Sequence, residues 1–354
     1  MKTARFLLLP ILLATVFGQQ PALRNARLVT RDATAGLDGT LGAIVSAQDA
    51  PAWAGYAVPI IAGEHRMCCS GDGSCLCTLE RQDGQPITNT TPDGNKQVQL
   101  EGPTHLVVLY RIENRQIGKV RMFTPDCELD AGGVPFFWLT GVRASDSVHY
   151  LKALAVSPST ERTQERRNKS AATAIAFHQG PEADAALDDF VKPTQPEFLR
   201  RDAVFWLGQT RGHHGFEVLS RVVKEDPSDR IREHAVFSLM QSKDPGAVKT
   251  VIAVAHDDKT PRVRGQALFW LAQRAGNKIA GQAIAEAIEK DPETEVKKKA
   301  VFALSQIPHG DGVPLLIEVA KTNRNPAVRK QAVFWLGQSK DPRATAFLEE
   351  ILTR

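Results

Sequence analysis

An α-helical pattern of hydrophobic positions recurs five times in the second half of the chain. In each copy an aliphatic residue, an alanine and a leucine stand at i, i+4 and i+8, as Ile231, Ala235 and Leu239 do. This spacing places the three side chains on one face of a helix. One phenylalanine per copy sets a period of about 32 residues: Phe205, Phe237, Phe269, Phe302 and Phe334. Repetition at this length predicts stacked units that complete their cores against their neighbours.

A second amphipathic segment follows each copy, for example residues 247–255. Turns that contain proline separate the segments, and an Asp or Asn precedes the proline, as in Asp226-Pro227. Proline is tolerated at a helix start, and the preceding side chain can cap the helix. Each unit is therefore predicted to be a helical hairpin. With a degenerate copy at residues 174–179, the pattern predicts an α-solenoid of about six hairpins over residues 170–354.

An acidic or amide residue precedes a basic residue by six positions in four of the repeats. The pairs are Asp226 with Arg232, Asp258 with Arg264, Asp291 with Lys297, and Asn323 with Arg329. These residues resemble the HEAT family, specifically the short bacterial class related to phycobilisome-lyase repeats. The resemblance implies that they form a structural ladder between adjacent repeats. A basic residue in every repeat is also compatible with anion binding.

The shared phenylalanines lie away from the aliphatic stripe on a helical wheel. Burial against the preceding unit is one interpretation. The other is an exposed aromatic row that binds a partner, because sizeable apolar patches mark binding sites. Tryptophans extend this row and are the candidate partner-binding residues: Trp206, Trp270 and Trp335. Ser238 and Ala303 replace the tryptophan in two units, which argues against a continuous row.

The part of the chain that precedes the repeats has a sequence pattern typical of a β-rich domain. Residues 105–112 and 117–123 predict a β-hairpin, residues 134–139 another strand, and residues 41–45 a weaker strand. A capped helix is expected to close the domain after residue 145. We therefore expect an α+β multidomain fold with a β-rich domain at 40–156 and a polar linker at 157–169. Residues 19–39 are expected to form a flexible segment.

All five cysteines lie in this β-rich region: Cys68, Cys69, Cys75, Cys77 and Cys127. Clustered cysteines in an exported chain usually form disulfides. A plausible pairing joins Cys127 to one of the four upstream cysteines, and the odd number leaves a thiol free or bonded to another chain. The alternative is a thiolate site for zinc or Cu(I), or redox chemistry. The spacing matches no established zinc pattern, and it contains no Cys-x-x-Cys motif.

The first 18 residues have the pattern of a secretory signal peptide. Two basic residues precede an apolar run at residues 6–17, which is too short to span a bilayer as a helix. We expect a protein of the periplasm or the extracellular space, without stable membrane insertion after cleavage. The formal net charge is only +4, with mixed signs along the repeats, so nucleic acid is not an expected partner.

The motifs of common enzyme classes are absent from the sequence. We find no Gly-x4-Gly-Lys-Ser/Thr phosphate loop, no His-Glu-x-x-His helix and no Gly-x-Ser-x-Gly elbow. The sequence therefore favours a non-enzymatic scaffold without a cofactor, which binds a protein of unknown identity through its solenoid. The alternative is a metal- or redox-active protein whose site lies at Cys68–Cys77 and Cys127, with the repeats as a docking arm.

Overall fold

The computed structural model describes residues 20–63, 65, 67, 68, 76–80, 102–275 and 277–353. The chain divides into two compact units, Met1–Tyr150 and Leu151–Arg354. The expected signal peptide lies outside the described residues, as do Cys69 and Cys75. Among the helices that the structure describes, none combines the length and the apolar character needed to cross a membrane.

The first unit is built mainly of strands. Its described elements are β1 (Ala22–Arg24), β2 (Arg27–Asp32), α1 (Leu37–Ala47), β3 (Ala52–Pro59), β4 (Leu76–Thr78), β5 (His105–Glu113), β6 (Gln116–Phe123), β7 (Glu128–Asp130), β8 (Pro135–Thr140) and α2 (Ala144–Ala155), inside which the unit boundary falls.

Two sheets organise this first unit. Five strands form a mixed sheet in the order β2-β8-β3-β5-β6, and three short strands form a parallel sheet in the order β1-β7-β4. The predicted hairpin is confirmed as β5 and β6, with Glu113 opposite Gln116. Asn114 and Arg115 turn the chain with positive φ angles of 52° and 57°, as a tight hairpin requires. Buried side chains such as Trp53 and Phe136 fill the core beside the mixed sheet.

Two segments of the first unit differ from the expectation. Residues 41–45, predicted as a weak strand, belong to α1, where Leu37, Leu41 and Ile44 are buried at helical spacing. Residues 22–32, expected to be flexible, form β1 and β2, which pair in parallel with β7 and β8. Strand β2 lies at a sheet edge and most of its side chains are exposed. An alternating hydrophobic pattern is therefore missing there.

The second unit is a succession of helices. They are α3 (Arg162–Phe177), α4 (Pro181–Phe190), α5 (Glu197–Thr210), α6 (Gly212–Glu225), α7 (Asp229–Gln241), α8 (Ala247–Asp257), α9 (Pro261–Arg274), α10 (Asn277–Lys290), α11 (Thr294–Ser305), a 3-10 turn (Pro308–Gly310), α12 (Val313–Thr322), α13 (Pro326–Gln338) and α14 (Pro342–Leu352). The predicted solenoid of helical hairpins is confirmed, and α3 already begins inside the stretch expected to be a linker.

We call the odd-numbered helices from α3 to α13 the A helices and the even-numbered helices from α4 to α14 the B helices. The aliphatic stripe of each A helix forms the core, and Ile231, Ala235 and Leu239 of α7 are fully buried. Side-chain caps start several helices, since Ser228 accepts a hydrogen bond from the Ile231 amide at 3.4 Å. The solenoid thus follows from local helix signals and from burial between neighbouring hairpins.

Candidate functional site

A buried arginine joins each central A helix to the next one. The Nε and Nη2 atoms of Arg232 donate to the carboxylate of Asp258 at 2.8 and 3.1 Å. Its Nη1 atom donates to the backbone carbonyl oxygen of Asp226 at 2.9 Å. The side chains of Arg232 and Asp258 are only 1% and 5% exposed. The guanidinium therefore connects the start of its own helix to the start of the following A helix.

Arginine–aspartate contacts between successive repeats occur on both sides of this pair. Arg264 donates to the carboxylate of Asp291 at 2.7 and 3.0 Å, and Arg200 forms an ion pair with Asp226. The hydrogen bonds that Arg232 and Arg264 donate to these carboxylates raise the pKa of both arginines above the ordinary value. We call this set of arginine–aspartate pairs the ladder; its carboxylates come from the next repeat.

The ladder changes at its C-terminal end. Lys297 donates to the backbone carbonyl oxygen of Glu289 at 2.7 Å. The side-chain amide of Asn323 donates to the carboxylate of Glu289 at 3.1 Å. Arg329 keeps the bond to the carbonyl oxygen of Asn323 at 2.8 Å. These ladder groups bind protein acceptors between the hairpins. The geometry accordingly favours the structural interpretation of the ladder over anion binding.

Nine aromatic rings form a continuous chain along the A helices. The centroids of neighbouring rings lie 4.7 to 6.2 Å apart. In order, the rings belong to Phe177, Trp206, Phe205, Phe237, Trp270, Phe269, Phe302, Trp335 and Phe334. We call this set the ring chain.

Two kinds of junction alternate in the ring chain. A tryptophan contacts the phenylalanine of the preceding A helix, as Trp270 contacts Phe237 at 4.7 Å. Where Ser238 stands in place of tryptophan, Phe205 and Phe237 stack directly at 6.2 Å with nearly parallel planes. The helices approach each other closely there. A Cβ atom added to Gly208 would lie only 2.4 Å from the backbone carbonyl oxygen of Ser238. Replacement of the tryptophan therefore does not interrupt the row.

The candidate tryptophans lie half-buried within this chain. Trp206 donates its indole N–H to the hydroxyl of Thr173 at 3.1 Å, while the indole nitrogen of Trp335 is buried without a hydrogen-bond partner. Phe334 is 52% exposed and presents its ring to solvent. The tryptophans fill the junctions between repeats, and Phe205, Phe237, Phe269 and Phe302 are half-buried like them.

A column of glutamines accompanies the phenylalanines, and our sequence-based site prediction did not include it. In every copy a glutamine follows the phenylalanine by four residues, which places both on one helix face. The five are Gln209, Gln241, Gln273, Gln306 and Gln338; each lies at the surface or half-buried. A primary amide donates and accepts hydrogen bonds. The signal was present in the repeated motif, as a polar residue shared by all five copies. Gln241 accepts a hydrogen bond from Arg274 of the next A helix at 2.6 Å.

The cysteine region contains disulfides. Cys68 and Cys127 are bonded to each other, as expected for Cys127 and one upstream cysteine, and Cys77 is also disulfide-bonded. Cys77 and Cys127 are fully buried beside Trp53. The Cys68 and Cys127 sulfurs and an Asp126 oxygen lie within 4.8 Å of one another. Metal ligation by cysteine requires a thiolate, and the sulfurs of a disulfide do not offer one, so this geometry gives the metal-site alternative no support.

Comparison with known proteins agrees with the repeat architecture. The family model of HEAT repeats matches residues 195–272 and 281–354, which confirms the HEAT repeats. The solved structures similar to this chain include human deoxyhypusine hydroxylase, at 18% identity over 58% of this chain and 90% of that chain, with a TM-score of 0.26. No curated protein matches the chain.

Two bacterial structures are similar over a comparable share of the chain. YibA of Escherichia coli is 22% identical over 58% of this chain and 76% of its own, with a TM-score of 0.37. The complex of CpcE and CpcF of phycocyanin lyase from Nostoc sp. PCC7120 is 20% identical over 55% of this chain and 76% of that chain, with a TM-score of 0.29. At these identities the likeness concerns the fold alone.

Proposed function

We propose that this chain, whose second unit is built of HEAT repeats, is a non-enzymatic scaffold that binds another protein through its A helices. The observation that carries the proposal is the repeated pairing of a ring with a glutamine along those helices. Apolar rings supply contact area, and primary amides supply hydrogen bonds to a polypeptide. An extended surface that combines both is suited to a protein partner.

Groups outside this surface also join the hairpins. The aliphatic stripe and the ladder already join successive A helices, as the burial of Leu239 and Arg232 illustrates. The position four residues before each phenylalanine differs in charge or size among the copies: Arg201, Glu233, Gly265, Lys298 and Lys330. The glutamine four residues after the phenylalanine is the same in all five. A shared polar residue beside variable neighbours fits a role in recognition.

We further propose that the scaffold works in an oxidising compartment, the periplasm of a bacterium or the extracellular space. The apolar run at residues 6–17 and the Cys68–Cys127 disulfide support this location. Its test is the mature N-terminus of the protein recovered from culture. Cleavage after Gly18 predicts that the protein begins at Gln19, and retention of Met1 in a cytosolic fraction would contradict the assignment.

Site-specific photocrosslinking tests the scaffold. A photoreactive residue placed at Gln273 on the A side should give discrete adducts with a partner protein in the native host. The matched control carries the same residue at the exposed Lys249 of the B helix α8 and should give few. Adducts from Lys249 alone would place the interface elsewhere. If neither position gave an adduct with another protein, the scaffold proposal would be wrong.

A further inference from the structure

The last three A helices are strongly basic, although the whole chain is not. Helices α9, α11 and α13 carry a single acidic residue, Glu295, against eight basic ones. Those eight are Arg262, Arg264, Arg274, Lys297, Lys298, Lys299, Arg329 and Lys330. The A helices α5 and α7 carry basic and acidic residues in equal number. The positive charge is therefore concentrated at one end of the A-helix row.

The B helices beside them do not share this charge. Helices α10, α12 and α14 contain five acidic residues and four basic ones. The two helical layers thus differ in sign within the same three hairpins, which the net charge of +4 for the full chain conceals. A one-sided distribution creates a local potential that total charge does not reveal.

Several of these basic groups have structural partners inside the stack. Arg264 binds Asp291, and Lys297 and Arg329 bind backbone carbonyl oxygens. Lys299 and Lys330 are exposed. Lys298 pairs with Glu295 at 3.0 Å, and its side chain remains 33% exposed. Arg262 of α9 pairs with Asp229 and Glu233, and Arg274 donates to the side chain of Gln241. The exposed lysines of these three helices lie on α11 and α13.

Aromatic rings lie on the same two helices. Phe302 precedes Trp335 in the ring chain, with their centroids 4.8 Å apart, and Phe334 is 52% exposed. The aliphatic part of the Lys299 side chain packs over Gly265 of the preceding A helix. A Cβ atom added to Gly265 would lie 2.5 Å from the Cδ of Lys299. Positive charge and apolar surface are therefore interleaved here.

We propose that this surface, the basic strip, binds an acidic, extended segment of a partner protein. The basic strip consists of Lys298, Lys299, Phe302, Lys330, Phe334 and Gln338. Its ammonium groups pair with carboxylates, its rings contact apolar side chains, and the amide of Gln338 bonds to the peptide backbone. The proposal rests on the scaffold function above and specifies the chemistry of the partner.

The ring geometry favours a polypeptide over a single-stranded nucleic acid. Bases bind such surfaces by stacking on open ring faces. Phe302 instead stacks on Phe269 at 6.0 Å with an interplanar angle of 8°, and it also contacts Trp335. The stacking surface of Phe302 is therefore occupied inside the protein.

Binding of labelled peptides to the full-length protein tests the proposal. The probes are a peptide of alternating glutamate and valine, the same peptide with lysine for glutamate, and an oligothymidine, measured by fluorescence anisotropy. We expect the acidic peptide to bind at least about tenfold more tightly than either of the others. Raising the salt concentration from roughly 50 to roughly 300 mM should weaken its binding, because exposed charges are screened.

Two sets of substitutions locate the site. The triple variant Lys298→Gln, Lys299→Gln, Lys330→Gln should weaken binding of the acidic peptide by about tenfold, from three exposed ion pairs of modest strength. The control variant removes three exposed lysines from B helices: Lys224→Gln, Lys249→Gln and Lys278→Gln. It should weaken binding less than about twofold. The Phe334→Ser variant should weaken binding without changing its salt dependence.

Three results would overturn the basic strip: equal binding of acidic and basic peptides, equal loss in the two triple variants, or tighter binding of oligothymidine. Circular dichroism of each variant verifies its folding, and the Phe334→Ser comparison remains decisive if a triple variant does not fold. Adducts from Gln273 without binding of the acidic peptide would retain the scaffold and reject the basic strip. Absence of the Gln273 adducts together with absence of acidic-peptide binding would reject the scaffold and the basic strip.

Discussion

Removing the negative charge from one ladder position should destabilise the solenoid strongly. In Asp258→Asn, the side-chain oxygen can still accept the hydrogen bond that Asp258 receives from the Thr260 amide at 2.8 Å. The native chain shows this compatibility, because Asn323 accepts the equivalent bond from the Asn325 amide at 3.0 Å. The substitution therefore leaves the helix start intact and removes the partner of the buried Arg232.

The size of the effect follows from burial. Breaking a buried ion pair by removing one partner costs about 3–5 kcal/mol, because the other charge stays buried and uncompensated. Arg232 retains hydrogen bonds to the Asp226 carbonyl oxygen and to the Thr260 hydroxyl, both at 2.9 Å. We therefore expect the lower end of that range, about 3 kcal/mol. For a unit of this size, the melting temperature should fall by roughly 6–12 °C.

Urea unfolding followed by circular dichroism at 222 nm measures this loss as a change in midpoint at constant slope. Asp341→Asn is the matched control, since Asp341 also accepts a backbone hydrogen bond but pairs with Arg343, whose side chain is 51% exposed. Its effect should be much smaller. A loss below about 1 kcal/mol in Asp258→Asn, or one equal to the control, would refute the argument from burial.

Three further predictions concern the core, protonation and the disulfide. Leu239→Ala, at a fully buried site, should cost about 2–5 kcal/mol in urea unfolding, and Leu348→Ala in the last helix should cost less. Burial lowers the pKa of His178 from 6.5 to about 4. The unfolded chain therefore binds a proton at His178 more readily than the folded chain, so the free energy of unfolding should fall by up to about 3 kcal/mol as pH drops from 6.5 to 4. In His178→Gln the urea midpoint should depend less on pH over this range. The double variant Cys68→Ser, Cys127→Ser opens a loop with a sequence separation of 59 residues and should cost the first unit about 4 kcal/mol by chain entropy, measured by near-ultraviolet circular dichroism during urea unfolding.

The second unit could be predicted well because its signals are local. Helical spacing of Ile231, Ala235 and Leu239 identifies the buried face, and repetition supplies the same answer five times. Proline turns mark the helix starts, and Pro261 and Pro326 do begin α9 and α13. These features depend on residues near one another in the chain, so no knowledge of tertiary contacts is needed.

The lateral contacts could not be obtained in this way. Asp226 and Arg232 are six residues apart and belong to the same repeat. The carboxylate that binds Arg232 belongs instead to Asp258 in the next repeat. The offset alone does not identify that partner. In the same way, the substitution at Ser238 suggested a gap in the aromatic row, but a smaller side chain allowed the helices to approach. Edge strand β2 lacked any hydrophobic alternation that could reveal it.

The alternating junctions of the ring chain make two consecutive hairpins the interchangeable module of this solenoid. Helix α5 presents Gly208 to Ser238 at close range, so excising α7 and α8 alone would set the bulky Trp270 against a surface shaped for a small residue. Excising four consecutive helices, α7 to α10, would bring Ala303 there instead and keep a small side chain at the junction. Growth or shortening of the array by recombination should accordingly proceed in steps of about 64 residues, the distance from Phe205 to Phe269.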